Sequence, residues 1–143
     1  MHTIHGRWND APDAVTLIDA HHHLWDLSQR KHPGFPWDRS EEGLAAWRRA
    51  MEALAREPNV HVKVSEFGLK DHPWDYQSNR RVVLDALATF GIERAIFASN
   101  FSVAGLRIGY DALIAAMSRM LRHLSPADRD RFFWKNAKAF YRL

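Results

Sequence analysis

The stretch "LIDAHHHLWD", residues 17–26, places three histidines directly after an apolar run and an aspartate. Residues 15–20 are predicted to form a β-strand, along which side chains alternate between two faces. Asp19, His21 and His23 therefore share one side, and the middle histidine faces the other. Alternate residues lie about 7 Å apart along a strand, so His21 and His23 can converge on one divalent ion. The alternative is that these histidines are exposed residues of a loop.

The composition restricts the chemistry that this chain can carry. Its 143 residues include no cysteine, which excludes disulfides, thiolate zinc sites and a cysteine nucleophile. A metal must therefore be bound by nitrogen and oxygen, which both zinc and manganese accept. Twenty Lys and Arg against seventeen Asp and Glu give a net charge of +3, without the motifs of nucleic-acid-binding proteins. With no membrane-length apolar run or secretory signal, the sequence predicts a cytoplasmic protein without nucleic-acid or membrane partners.

The order of the predicted elements indicates an α/β fold. Residues 1–14 are predicted to be a flexible lead-in to a single domain, 15–143. A capping box at Asp38 and Glu41 opens the first helix. The predicted strands lie at 15–20, 59–67 and 94–99, and the helices at about 38–56, 79–90 and 110–124, with further short helices capped by Ser125 and Asn136. Alternating strands and helices favour parallel strands, whose carboxyl ends form the usual ligand site.

Five segments, in order along the chain, carry a family resemblance. They are "LIDAHHHLWDL", "HPGFPWDRSEEGLAAWRRAM", "NVHVKVSEFGL", "RAIFASNFSVAGL" and "FFWKNAKAFYRL". Together they resemble the amidohydrolase-related proteins, the amidohydrolase 2 group of the metal-dependent hydrolase superfamily, which includes lactonases and decarboxylases. The resemblance implies a (β/α)8 TIM barrel, in which these segments correspond to strand one, the stretch after strand six, strands seven and eight, and the carboxyl terminus.

A complete barrel of this kind needs at least about 200 residues, so the resemblance implies an internally shortened one. "DLSQRK", residues 26–31, stands where strands two to five would lie and contains no apolar run that replaces strand six. The expected fold is therefore a partial TIM barrel, with parallel strands in the order seven, eight, one and flanking helices. An open sheet of three strands leaves two edges and its inner face uncovered.

The resemblance also implies roles for particular residues. His21 and His23 match the family's metal-binding pair, and His32 matches the histidine that follows strand six. Asn100 stands where many members have the aspartate that binds metal and accepts a proton from water. An amide cannot be a general base, although it can orient a substrate carbonyl or a water. Hydrolysis without metal, or inactivity, is therefore also compatible with the sequence.

Three further residues have two open interpretations each. Asp19 either orients a histidine through its second ring nitrogen or lies one layer down and bonds to backbone groups. Lys63 either binds a substrate carboxylate or is an exposed lysine opposite the valines of its strand. Trp25 covers either the pocket, where it would contact substrate, or the core.

Three functions follow from these observations. The first, implied by the resemblance, is hydrolysis of a small lactone or carboxylated ring ester, with zinc, manganese or no metal. The second is a non-catalytic shortened barrel that forms a homo-oligomer to cover its sheet. The third is a basic module that binds an acidic partner, with an affinity that falls steeply with salt.

Overall fold

The computed structural model describes residues 3–4, 16–20, 40–65, 68 and 72–143. Its strands are β1 (Thr3–Ile4), β2 (Leu17–Ile18), β3 (Val62–Val64) and β4 (Ala95–Phe97). Its helices are α1 (Glu41–Ala55), α2 (Tyr76–Phe90), α3 (Phe101–Ala104), α4 (Tyr110–Met120), α5 (Pro126–Asp130) and α6 (Asn136–Tyr141), with a 3-10 turn at Ile92–Arg94 and a π-helical turn at Arg131–Lys135. None of the helices in these ranges is long and apolar enough to cross a membrane.

Two of the strands form the predicted parallel sheet. In β3 and β4, Val62 lies opposite Ala95 and Val64 lies opposite Phe97. The segment that continues β2 lies beside β4, because the amide of Ala20 donates to the carbonyl oxygen of Phe97 at 3.4 Å. β2 itself pairs antiparallel with β1, inside the predicted lead-in. The α/β class is confirmed, and within the described ranges the strands form no closed barrel.

One face of the parallel sheet packs on the helices, as the alternation of β3 predicts. Val62 and Val64 are buried, whereas Lys63 between them is exposed. β4 is buried throughout, as the continuous apolar run at residues 94–99 indicates. Phe97 contacts the rings of Phe132 and Phe133 at centroid distances of 6.1 and 5.5 Å. Apolar residues at helical spacing on α4 also enter this core: Leu113, Ile114, Met117 and Met120.

The opposite face of β4 is covered by the carboxyl-terminal helix α6. Ile96 forms a buried cluster with Ala20 and Ala137. At the amino end of β3, the rings of His61 and Phe140 lie 4.8 Å apart. The prediction of a wholly uncovered inner face is therefore wrong for β4. The face is covered because the short side chains of Ala20 and Ala137 allow α6 to pack closely on Ile96 of this strand.

Asn136 connects α6 to the amino end of β4. Its Nδ2 donates to the carbonyl oxygens of Ile92, at 2.6 Å, and Ala95, at 2.8 Å. The predicted helix cap at Asn136 is wrong, because residues 126–141 form one continuous helical run and the side chain bonds to these strand-end carbonyls instead. The predicted cap at Ser125 is confirmed, since its side chain accepts from the amide of Asp128. α6 therefore lies at the amino end of the sheet, away from the carboxyl ends.

Local capping shifts the starts of the first two long helices. Ser40 caps α1, with its Oγ accepting from the amide of Gly43 at 3.1 Å, so the predicted cap at Asp38 is wrong. α2 begins at Tyr76, three residues before the prediction, because Asp75 caps it by accepting from the amide of Ser78 at 2.7 Å. A side-chain oxygen in either position satisfies an amide that has no partner within the helix.

Gly91 ends α2 in a conformation that few other residues adopt. Its φ of 75° and ψ of 158° lie in a region that is open almost only to glycine. We expect Gly91→Ala to lower the free energy of unfolding by about 1–2 kcal/mol through backbone strain, since no atom of the described residues lies within 4 Å of an added methyl group. Denaturant unfolding measures this. The control is Gly109→Ala at the N-cap of α4, whose φ of −67° suits alanine, so that only the smaller cost of a poorer cap is expected; a loss as large as that of Gly91→Ala would contradict the explanation.

Candidate active site

The carboxyl ends of β2 and β4 are joined by a hydrogen bond between residues 80 apart in sequence. The backbone amide of Ser99 donates to Oδ1 of Asp19 at 2.9 Å. Ser99 is buried, and Asp19 is partly buried. Of the two interpretations of Asp19, this is the bond that a backbone-binding role requires. Whether Asp19 also orients a histidine stays a prediction.

The carboxyl ends of β2 and β4 form one edge of the sheet, which we call the rim. Asn100 follows Ser99 at this rim and lies in a tight turn. Its φ of 52° and ψ of 31° are left-handed, a conformation that asparagine tolerates better than most residues. Its carbonyl oxygen accepts from the amides of Val103, at 3.0 Å, and Ala104, at 2.7 Å. Asn100 is partly exposed, so the turn places an amide side chain at the carboxyl end of β4, where the sequence predicts it.

Tyr110, at the start of α4, also belongs to this region, although its place in the apolar stripe of that helix indicates only a core residue. Its ring lies edge-on to Phe101, with centroids 4.9 Å apart, and its hydroxyl oxygen is buried. Burial, followed by the negative charges of Asp19 and Asp111, raises the pKa of Tyr110 to about 12. Tyr110 therefore stays a neutral phenol to a higher pH than an ordinary tyrosine, mainly because it is buried.

This pKa predicts the behaviour of the protein in alkali. Below pH 10.0, the ordinary value, Tyr110 is protonated in both the folded and the unfolded chain. As the pH rises from there to about 12, the unfolded tyrosine ionises first, so the folded state loses stability. Phenolate absorbance should show a late-titrating tyrosine that Tyr110→Phe removes. An unchanged titration curve in Tyr110→Phe would place the late group elsewhere.

Lys63 is the middle residue of β3 and lies on the inner face of the sheet. It is opposite Ile96 in the parallel register and is exposed. Both open interpretations of Lys63 require this exposure. Trp74 lies just before α2, with its ring 6.4 Å from that of Tyr76, and its buried indole nitrogen has no hydrogen-bond partner among the described residues.

The remaining predicted site residues, His21, His23, Trp25 and His32, lie outside the described residues. Within the described ranges, no three His, Asp or Glu side chains are grouped closely enough to hold a metal ion. Asp19 and Asn100 supply one carboxylate and one amide, which is fewer than the three protein ligands of a catalytic zinc site. A metal at this rim would therefore need the imidazoles, and their role as ligands stays a prediction.

The described residues form an α/β protein with polar side chains at the carboxyl ends of its strands, where α/β enzymes bind their substrates. The chain belongs to the amidohydrolase family, whose profile matches residues 30–143. The family resemblance is thereby confirmed over most of the chain. The matched range begins after His21 and His23.

Curated relatives are much longer than this chain. It is 42% identical over 97 residues to the uncharacterized protein y4mH of Sinorhizobium fredii, which covers 68% of this chain and 33% of that protein. It is 28% identical over 144 residues to an L-fucono-1,5-lactonase of Burkholderia multivorans, covering 92% of this chain and 48% of the lactonase. The chain thus spans about a third to a half of these relatives, in agreement with a shortened member of the family.

Solved structures show the same relationship. An amidohydrolase from Burkholderia multivorans with bound HEPES is similar with a TM-score of 0.66 and 30% identity, over 74% of this chain and 39% of that one. A zinc-bound crystal form has a TM-score of 0.67 and 28% identity, over 76% and 40%. A putative 2-pyrone-4,6-dicarboxylic acid hydrolase from Pseudomonas putida, 19% identical with a TM-score of 0.54, shares the fold.

Proposed function

We propose that this chain is a hydrolase that opens a small lactone or a carboxylated ring ester. The observation that carries the proposal is the hydrogen bond from Ser99 to Asp19, which brings the ends of β2 and β4 together beside Asn100. In an α/β fold, substrates bind at this edge of the sheet. The lactonase relatives support the class of substrate.

Each residue has a defined part in this proposal. His21 and His23 bind a divalent ion, zinc or manganese, or contact the substrate carbonyl directly, and His32 adds a third imidazole. A bound ion would supply Lewis acidity and lower the pKa of water. Asn100 orients the substrate carbonyl or the attacking water by hydrogen bonds, without accepting a proton.

Two further residues would bind substrate. Lys63 is exposed on the inner face, where its ammonium group would attract the carboxylate of a ring-ester substrate. Trp25, close to the histidines in sequence, would cover the sugar or pyrone ring.

The test combines turnover with metal content. The chain should hydrolyse members of a panel of aldonolactones, including L-fucono-1,5-lactone, and pyrone carboxylates, measured by acid release with and without added zinc or manganese. We expect His21→Ala and His23→Ala to lose turnover at least about 100-fold, because the substrate carbonyl loses its partner. The matched control is His123→Ala, an exposed histidine that follows the end of α4. Wild-type protein that turns over no substrate under any of these conditions would contradict the proposal.

The alternative, a non-catalytic oligomer, is favoured by one observation. Apolar side chains on α3 and the turn after it are exposed: Phe101 by 41%, Val103 by 45% and Leu106 by 82%. If these residues bind a second copy, light scattering should show a dimer that Leu106→Glu dissociates. Leu54→Glu, on the exposed side of α1, is the control and should leave the dimer intact. A wild-type monomer with hydrolytic activity would exclude this alternative.

A further inference from the structure

The turn that carries Asn100 is held by hydrogen bonds on both sides. Before it, the amide of Ser99 donates to Oδ1 of Asp19 at 2.9 Å. After it, the amide of Phe101 donates to Oγ of Ser99 at 3.0 Å. The amide of Ala104 donates to the carbonyl oxygen of Asn100 itself at 2.7 Å. These three bonds leave the backbone of residues 99–101 little freedom.

These contacts differ in what they fix. The bonds from Phe101 and Ala104 join residues within the turn, so they set its shape but not its position in the protein. The bond to Asp19 ties the turn to the other strand of the rim. A left-handed residue that is not glycine persists only when its surroundings hold it there.

The surroundings of Asp19 and Ser99 favour a stable hydrogen bond between them. Ser99 is only 1% exposed, so its amide has little access to water and would lose a good acceptor if Asp19 were removed. Tyr110 packs edge-on against Phe101, the residue after Asn100. The turn is therefore bonded to Asp19 through Ser99 and packed against an aromatic ring through Phe101.

We infer that Asp19 is a positioning residue for Asn100. Its carboxylate holds the backbone of Ser99 and so fixes where the Asn100 side chain stands relative to the residues that follow β2. This inference rests on the proposed function, in which Asn100 orients the substrate carbonyl or the water. Asp19 would then contribute to the same reaction through Asn100, without touching the substrate itself.

The kinetic test uses three replacements of Asp19. Asp19→Asn keeps an oxygen that accepts from Ser99, and kcat should stay within about threefold of wild type. Asp19→Glu keeps the charge but moves the carboxylate by one methylene group, and Asp19→Ala removes it. Both should lower kcat, by as much as about 100-fold for alanine, with KM changed much less, because a small displacement of an orienting group is sufficient for such a loss.

A double-mutant cycle separates positioning from general stabilisation. If Asp19 acts through Asn100, adding Asp19→Ala to Asn100→Ala should lower kcat no further. Independent, multiplicative losses would overturn the inference. The inference would also be overturned if the loss of kcat from Asp19→Ala disappeared only in a His21→Ala background, because Asp19 would then act through the histidine.

A second measurement does not depend on turnover. In nuclear magnetic resonance spectra, the backbone and side-chain amide signals of Asn100 should move in Asp19→Ala and Asp19→Glu but stay near their wild-type positions in Asp19→Asn. Asp111→Ala, which removes an exposed carboxylate near Tyr110, is the control and should leave them in place. If no substrate is hydrolysed but these signals move, the proposed function fails and the positioning of Asn100 stands. Unmoved signals in Asp19→Glu, which should fold even if the alanine variant does not, would overturn the inference.

Discussion

Replacing Asn100 with aspartate is expected to raise kcat for lactone hydrolysis about 100-fold, the lower end of what general-base catalysis contributes. The amide of Asn100 orients but cannot accept a proton, whereas a carboxylate at the same place would do both. Aspartate also tolerates the left-handed conformation of residue 100, so the turn should survive the replacement. Steady-state kinetics on the best substrate of the lactone panel measures the gain.

The pH profile identifies the cause of that gain. A new general base works only when ionised, so kcat of Asn100→Asp should fall at low pH as its carboxylate takes up a proton. Asn100→Ala is the control, because it removes the amide without adding a base, and kcat should fall below the wild-type value. If Asn100→Asp gained no activity while keeping its fold and substrate binding, residue 100 would not face the attacking water.

The largest loss of stability is expected for Asn136→Asp. The side-chain nitrogen of Asn136 donates to two carbonyl oxygens within 2.8 Å, and a carboxylate would instead present oxygen to oxygen. One buried and one partly buried acceptor lose their donor and a buried charge gains no partner, which together should lower the free energy of unfolding by about 3 kcal/mol or more. Thermal unfolding should show a melting temperature about 10 °C lower.

The pH dependence of this variant has a defined sign. Protonated aspartic acid can donate one hydrogen bond to a carbonyl oxygen, so the folded state should raise the pKa of this group. The stability lost relative to the wild type is then smallest at low pH, where both states are protonated, and grows as the pH rises through the unfolded-state pKa towards the folded-state pKa. Asn59→Asp, which adds the same charge at an exposed position, is the control. Equal losses in the two variants would mean that net charge, not the two carbonyl bonds, sets the effect.

Much of the fold could be predicted because its signals are local. The alternation around Lys63 predicts which face of β3 is buried, and the apolar run 94–99 predicts a fully buried β4. The ends of helices at Gly91 and Ser125 follow from the properties of glycine and serine. The placement of Asn100 at the carboxyl end of a strand could be predicted for the same reason.

What escaped prediction depends on contacts between distant residues. The two interpretations of Asp19 could not be separated, because the amide that it binds lies 80 residues further along the chain. Asn136 has the features of a cap, and only the path of the chain shows that its partners are 41 and 44 residues away. The four-residue helix α3 gives too short a pattern to detect. Tyr110 joins a helical stripe of core residues, which conceals its closeness to Asp19.

The bond between Asp19 and Ser99 also determines when the rim can form during synthesis. Joining these residues closes a loop of about 80 residues, which is entropically costly until the packed core of β3, β4, α2 and α4 holds the far end. A growing polypeptide cannot make this closure before Ser99 has left the ribosome. The rim at the ends of β2 and β4 can therefore assemble only after β4 and Ser99 have been synthesised, late relative to the strand that carries Asp19.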